Sequence, residues 1–219
     1  MTLAQVQPGT APKPLAAAAT RGLAVLLPGF GYGADKPLLY YARRAAQAAG
    51  YETLAVEYGL SGWDKSDLRR SVSETFAPAL AAAAAQLAAA RRGCPPERLL
   101  LVGKSFGTLV AGALAAQPEL AGAKTVFFTP LGAALPYAGG HCLLAASGTA
   151  DPYVSAAERA ALGEALGARL LLFAGANHSL ELPGKPLESL RILQQLTASL
   201  LGLLLPGAPS EPVWPGPRC

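Results

Sequence analysis

Arg98-Leu99-Leu100-Leu101-Val102-Gly103-Lys104-Ser105-Phe106-Gly107-Thr108-Leu109-Val110-Ala111-Gly112 is the stretch that decides how the chain is read. It has the pattern of an apolar strand, a tight turn with a serine at its tip, and a helix of small and apolar residues. The turn has the form G-x-S-x-G, which between a strand and a helix puts the serine on a sharp bend with its hydroxyl exposed at the carboxyl end of a sheet. Gly103 and Gly107 remove side chains that would collide with neighbouring backbone there. The N–H of Phe106 falls at a helix N-terminus, where it can hold a developing oxyanion.

On either side of this stretch the chain alternates strands and helices. Leu23 to Leu27 is a short continuous apolar run, the mark of a strand buried on both faces, and it runs into the glycine-rich Pro28-Gly29-Phe30-Gly31-Tyr32-Gly33. Asp35 is placed to cap a helix with Pro37 in its first turn, closed by Gly50. Glu52 to Tyr58 is the next strand. A long helix follows from about Asp67 to Arg92, with Pro78 expected to kink or split it. After the central strand and helix come a buried strand over Ala123 to Thr129, a short loop over 131–140, and a strand over His141 to Ser147. Ser155 and Glu158 form a capping box for a helix that ends at Gly167. Ala168 to Ala174 is the last strand, and a final helix runs from about Pro186 to Leu205. Apolar strands alternating with helices predict an α/β architecture. Its sheet is expected to be mostly parallel, with about six strands and helices on both faces. Residues 1–20 read as a tail or edge strand, 21–205 as one domain, and 206–219 as a proline-rich disordered tail.

Bulk properties narrow the function. The chain has 219 residues, long enough for a large core, and is 52% hydrophobic and 15% charged, with a net charge of +4. The basic residues are scattered in ones and twos without interleaved aromatics, which speaks against nucleic acid as a partner. Three separated cysteines, Cys94, Cys142 and Cys219, form neither a disulfide framework nor a metal spacing, and Cys142 reads as a buried small hydrophobe. No stretch reaches the roughly 18 apolar residues of a membrane span, no signal peptide is visible, and a cytoplasmic location is expected. Gly29, Gly31 and Gly33 follow a strand, but their spacing is not G-x-G-x-x-G, so a nucleotide cofactor is not expected.

A serine hydroxyl needs a base within hydrogen-bond reach, and histidine suits the task near neutral pH. The chain has two histidines. His141 falls at the amino end of its strand and reads as a surface or structural residue. His178 falls in the loop after the last strand, on the same sheet edge as Ser105, and is the candidate base. Asp151, after the penultimate strand, is the candidate acid that would fix the histidine tautomer, with Glu57 as a weaker competitor. Glu181 reads as a local capping or salt-bridging residue. The second oxyanion donor should come from the loop after the first strand, from the N–H of Phe30 or else of Gly31. Tyr32 and Asp35 are placed at the pocket mouth.

Together the turn Gly103-Lys104-Ser105-Phe106-Gly107, the acid loop Gly148-Thr149-Ala150-Asp151-Pro152-Tyr153-Val154, the histidine loop Gly175-Ala176-Asn177-His178 and the loop Pro28-Gly29-Phe30 resemble the α/β-hydrolase family. The resemblance covers roughly residues 20–205. Pro28 stands where many members have a histidine before the oxyanion glycine. The short span over 131–140, where other members insert a helical lid, resembles the small lidless members. These include dienelactone-hydrolase-like enzymes, small carboxylesterases and acyl-protein thioesterases, although the dienelactone type uses a cysteine where this chain has Ser105. The resemblance implies a cofactor-free serine hydrolase acting on a small-molecule acyl ester or thioester. Acyl transfer or cofactor-free peroxidation on the same scaffold, and a non-catalytic binding protein, are the alternatives.

Overall fold

The computed structural model describes residues 22–59, 68–91 and 95–205. The expectations for 1–20 and 206–219, like Cys94, Cys219 and the loop around Trp63, lie outside them. Six strands form one sheet: β1 (Gly22–Leu27), β2 (Tyr51–Ala55), β3 (Leu99–Lys104), β4 (Lys124–Phe128), β5 (Cys142–Gly148) and β6 (Leu170–Phe173). They lie in the order β2-β1-β3-β4-β5-β6, every neighbouring pair parallel. The chain thus winds outward from β1 to one edge at β2, then crosses back to build the other side. Every carboxyl end therefore falls on one edge of the sheet, where ligand sites of such sheets form.

Among the described residues five α-helices cover the sheet: α1 (Pro37–Ala48), α2 (Leu68–Arg91), α3 (Phe106–Ala115), α4 (Ala156–Leu166) and α5 (Pro186–Leu204). Alternation along the strands divides the apolar residues between two layers. Leu23, Val25 and Leu27 of β1 and Leu99 and Leu101 of β3 pack against Ala79, Ala83 and Leu87 of α2, Val110 and Leu114 of α3, and Leu162 and Leu166 of α4. Ala24 and Leu26 of β1 and Leu100 and Val102 of β3 face the other way, against Leu39 of α1 and Ile192, Leu196 and Leu200 of α5. Each fully buried leucine of these layers contributes about 1.5–3 kcal/mol, so central strands with no polar face are what a doubly covered sheet requires.

Several local expectations need correcting. Helix α2 runs without a split through Pro78. Pro78 lies on the exposed side of the helix, as does Glu74, whose carbonyl loses its N–H partner where solvent can reach it. Strand β2 ends at Ala55, three residues early, and Glu57 lies beyond it, exposed, its N–H and carbonyl both bonded to the Gln86 side chain. Asp35 does not cap α1: Lys36 holds the cap position, without a side-chain cap bond. The stretch read as a loop between β4 and β5 contains a 3-10 helix, Gly132–Tyr137. It seats on α3 so closely that a Cβ at Gly112 would stand 2.4 Å from the Cβ of Tyr137. The Ser155–Glu158 capping box is present as expected, and Cys142 is buried in β5.

Candidate active site

Ser105 lies between β3 and α3 with φ 55° and ψ −118°. A side chain at positive φ is strained, typically by about 1–3 kcal/mol, and persists only where its surroundings over-determine it. The surroundings here are backbone. A Cβ on Gly107 would lie 1.9 Å from the Leu27 carbonyl oxygen, and one on Gly103 would lie 2.4 Å from the Gly107 carbonyl oxygen. The Ser105 N–H donates to the Phe128 carbonyl (2.8 Å), and its own carbonyl accepts from the Thr108 hydroxyl (2.6 Å). Among the described residues, the non-glycine residues with positive φ are Ser105, Thr129 and Leu180. Thr129 directly follows β4 and Leu180 lies in the loop after β6, so the strain collects at the carboxyl edge.

The chain brings three of the expected residues together at that edge. His178 Nε2 is 2.8 Å from Ser105 Oγ, and His178 Nδ1 is 2.7 Å from Asp151 Oδ2. The other carboxylate oxygen of Asp151 accepts from the Tyr153 N–H (2.9 Å), which fixes its plane. Asp151 is buried, and Tyr153, half exposed, sets its ring edge-to-face against the imidazole at 4.7 Å. The acid and histidine loops are knitted together by the bonds from Thr149 N–H to the Phe173 carbonyl and from Ala150 N–H to the Ala176 carbonyl. A Cβ on Gly148 would strike the Ala176 carbonyl oxygen at 2.0 Å, so this strand end needs glycine to let the histidine loop pass.

Glu57 follows β2, on the opposite margin of the sheet from β6, and does not enter this cluster. His141 is exposed before β5, at the far end of the sheet. Glu181 uses its backbone to close the histidine loop on Asn177, and it makes no ion pair among the described residues.

The loop after β1 closes on itself: Gly29 and Tyr32 exchange two backbone hydrogen bonds of 3.2 Å, leaving Phe30 and Gly31 at its tip. The Phe30 ring stacks on Phe106 at 4.3 Å, and Tyr58 packs edge-on against Phe106 while its hydroxyl donates to the Pro28 carbonyl. Phe106 is wholly buried in this cluster. The Tyr32 hydroxyl accepts from the Leu38 N–H at the start of α1 (3.0 Å), and burial pushes its pKa up to about 12.

Two residues here were not singled out from sequence. Asn177 accepts the N–H groups of Ser179 (2.8 Å) and Glu181 (3.1 Å) on its side-chain oxygen and so shapes the histidine loop. Lys104, next to the serine, is 1% exposed; its Nζ donates to the His178 carbonyl (2.8 Å) and lies 4.9 Å above the centre of the Tyr32 ring. A lysine closing an otherwise apolar strand is the one signal for it in the sequence. Burial pushes the Lys104 pKa down to about 7, against the pull of Asp151. The His178 pKa is lowered as well, first by burial and then by the Lys104 charge, with the Asp151 hydrogen bond opposing. Among the described residues no group of three or more His, Cys, Asp or Glu is placed to hold a metal ion, and no helix is long and apolar enough to cross a membrane.

No protein-family model matches the chain, and no curated protein sequence matches it. Solved structures do resemble it. A serine hydrolase without a lid from Xanthomonas campestris is similar at a TM-score of 0.58 and 20% identity, over 90% of this chain and 88% of that one. Est1E from Butyrivibrio proteoclasticus, solved with ferulic acid bound, gives a TM-score of 0.60 at 14% identity, over 89% and 91% of the two chains. An α/β serine hydrolase homologue from Coxiella burnetii gives 0.55 at 14% identity, over 81% and 84%. The chain has the α/β-hydrolase fold, and one of its structural neighbours is a form of that fold without a lid.

Proposed function

We propose that the protein is a serine hydrolase that cleaves a carboxylic ester or thioester through an acyl-enzyme on Ser105. The observation that carries this reading is the chain of two short hydrogen bonds from Ser105 through His178 to Asp151. In the first half-reaction His178 Nε2 takes the Ser105 proton while Oγ attacks the acyl carbon, and the carbonyl becomes an oxyanion. Asp151 holds Nδ1–H and stabilises the imidazolium. The backbone N–H groups of Phe106 and Phe30 are assigned to the oxyanion, with Gly31 as the alternative to Phe30. The stacking of the two phenylalanine rings supports this pairing, because it holds the two loops side by side. His178 then protonates the leaving alcohol or thiol. In the second half-reaction water, deprotonated by His178, attacks the acyl carbon; the bond to Ser105 Oγ breaks, His178 returns the proton to Oγ, and the acid leaves. The lowered pKa of His178 keeps the imidazole neutral, and so able to accept a proton, below its ordinary range.

The span between β4 and β5 carries only a short 3-10 segment, which supports an open site and accessible acyl groups of modest size. The test is labelling with a fluorophosphonate probe, together with hydrolysis of a panel of p-nitrophenyl esters and acyl thioesters of increasing chain length. Ser105 is expected to take the label in the folded protein, and short esters to turn over. Absence of labelling at Ser105, with S105A as the control, overturns the reading.

A further inference from the structure

Lys104 is a buried titratable group that the reaction as written does not use. It extends from the residue immediately before the nucleophile. Its side chain passes to the layer on the α1 and α5 side and ends under the histidine loop, on the carbonyl of His178 itself. The groups facing it come from three loops: Asp151 after β5, His178 after β6, and the ring of Tyr32 after β1, which Asp35 and Glu181 in turn influence. An apolar side chain would fill this space without the cost of burying an ammonium. The fold therefore carries a costly group at the point where two catalytic loops meet.

We propose that Lys104 is a positioning residue, one side chain of the serine turn that clamps the backbone of the base and so fixes His178 Nε2 against Ser105 Oγ. This rests on the reading of Ser105 as nucleophile and His178 as base. The ammonium also faces the imidazole without bonding to it, so the clamp disfavours protonation of the base it holds. Position and charge act together: the histidine is held in place and held neutral.

The test compares the wild type with K104M and K104Q. Methionine fills the space with neither donor nor charge; glutamine keeps a donor without charge. K104M is expected to fold with an unchanged or higher Tm and to hydrolyse p-nitrophenyl butyrate with kcat lowered about 10- to 100-fold and KM within about twofold. The acid limb of its kcat/KM profile is expected to move to higher pH. K104Q is expected to regain part of kcat while keeping the displaced limb. The chain has two histidines, so the His178 signal is readily assigned by NMR. The His178 titration should move up in K104M and K104Q. A K104M protein that fails to fold, or that loses Tm and activity in proportion, makes Lys104 structural and overturns the proposal, as does an unmoved His178 titration. If wild type neither labels nor turns over, the hydrolase reading fails, and the NMR titration still decides whether Lys104 acts on His178.

Discussion

The serine turn and the histidine loop face each other across 2.8 Å, yet they are held by different means. The turn is held by backbone. Its strained φ persists because Gly103 and Gly107 let strand, helix and the end of β1 pass within contact distance, and no charged group is needed. The histidine loop has backbone bonds of its own, but it depends on side chains as well. Asn177 folds it, Lys104 anchors it from β3, and Asp151 sets the ring. The difference teaches that the position of Ser105 follows from local steric exclusion, whereas that of His178 draws also on polar reach between residues distant in sequence. Such contacts are worth little each and are more easily broken.

The largest expected effect cuts the contact that orients the ring. Asp151→Asn keeps the shape but lets the amide donate to Nδ1, stabilising the wrong tautomer. Turnover of a good ester is expected to fall by about 10⁴-fold, with little change in Tm. Steady-state kinetics on the variant checks this; near-normal turnover would remove Asp151 from the acid role.

The next effect falls on the backbone-held side. Gly107→Ala places a Cβ against the Leu27 carbonyl, and backbone cannot step aside. The expected loss is about 3 kcal/mol of stability, roughly 10 °C in Tm, measured by thermal or urea unfolding. A Gly107→Ala variant with wild-type Tm would show that the turn is not sterically determined.

The same division explains what sequence made legible. Ser105, its two glycines, the parallel sheet and the strand-end positions of Asp151 and His178 were readable because each depends on neighbours within a few residues or on apolar runs. Strand ends were less so: β2 stops at Ala55 because the chain leaves the sheet there, and neither composition nor period marks that point. Asp35 failed as a cap although its residue type suits one, since Lys36 takes the cap position. Lys104 and Asn177 could be noticed as types but not assigned, because their partners lie across the sheet edge or depend on a loop whose path is set by tertiary contacts. A lysine at the end of a strand is ordinarily solvated; only the crossing of the histidine loop buries this one.

A smaller effect tests the loop itself. Asn177→Ala leaves the N–H groups of Ser179 and Glu181 without their acceptor. The expected cost is about 1–2 kcal/mol, felt in loop order more than in global stability. It should appear as a fall in kcat of about tenfold with a Tm change of no more than a few degrees. A larger Tm loss with unchanged kcat per folded molecule would place Asn177 in the scaffold.

The smallest effect separates the two regions by pH, because the serine turn's own restraints hold nothing that titrates, whereas the histidine loop is anchored by Lys104. Lys104 titrates near 7 when folded and near 10.5 when unfolded, so between these values the unfolded chain binds the proton more strongly. Stability therefore rises with pH above 7, and this group adds no slope well below it. From pH 7 to pH 8 the gain is about 1 kcal/mol, roughly 3 °C in Tm for a domain of this size. His178, lowered from 6.5, contributes a slope of the same sign, confined below pH 6.5, so the two windows do not overlap. The comparison of wild type with Lys104→Met isolates the upper window: the difference between their Tm values should shrink as pH rises through 8. A difference independent of pH over this range would mean that folded and unfolded chains hold the Lys104 proton equally well, and that burial does not lower its pKa. The histidine loop would then be clamped by a full ammonium throughout, and the charge facing His178 would not fade as the pH passes 7.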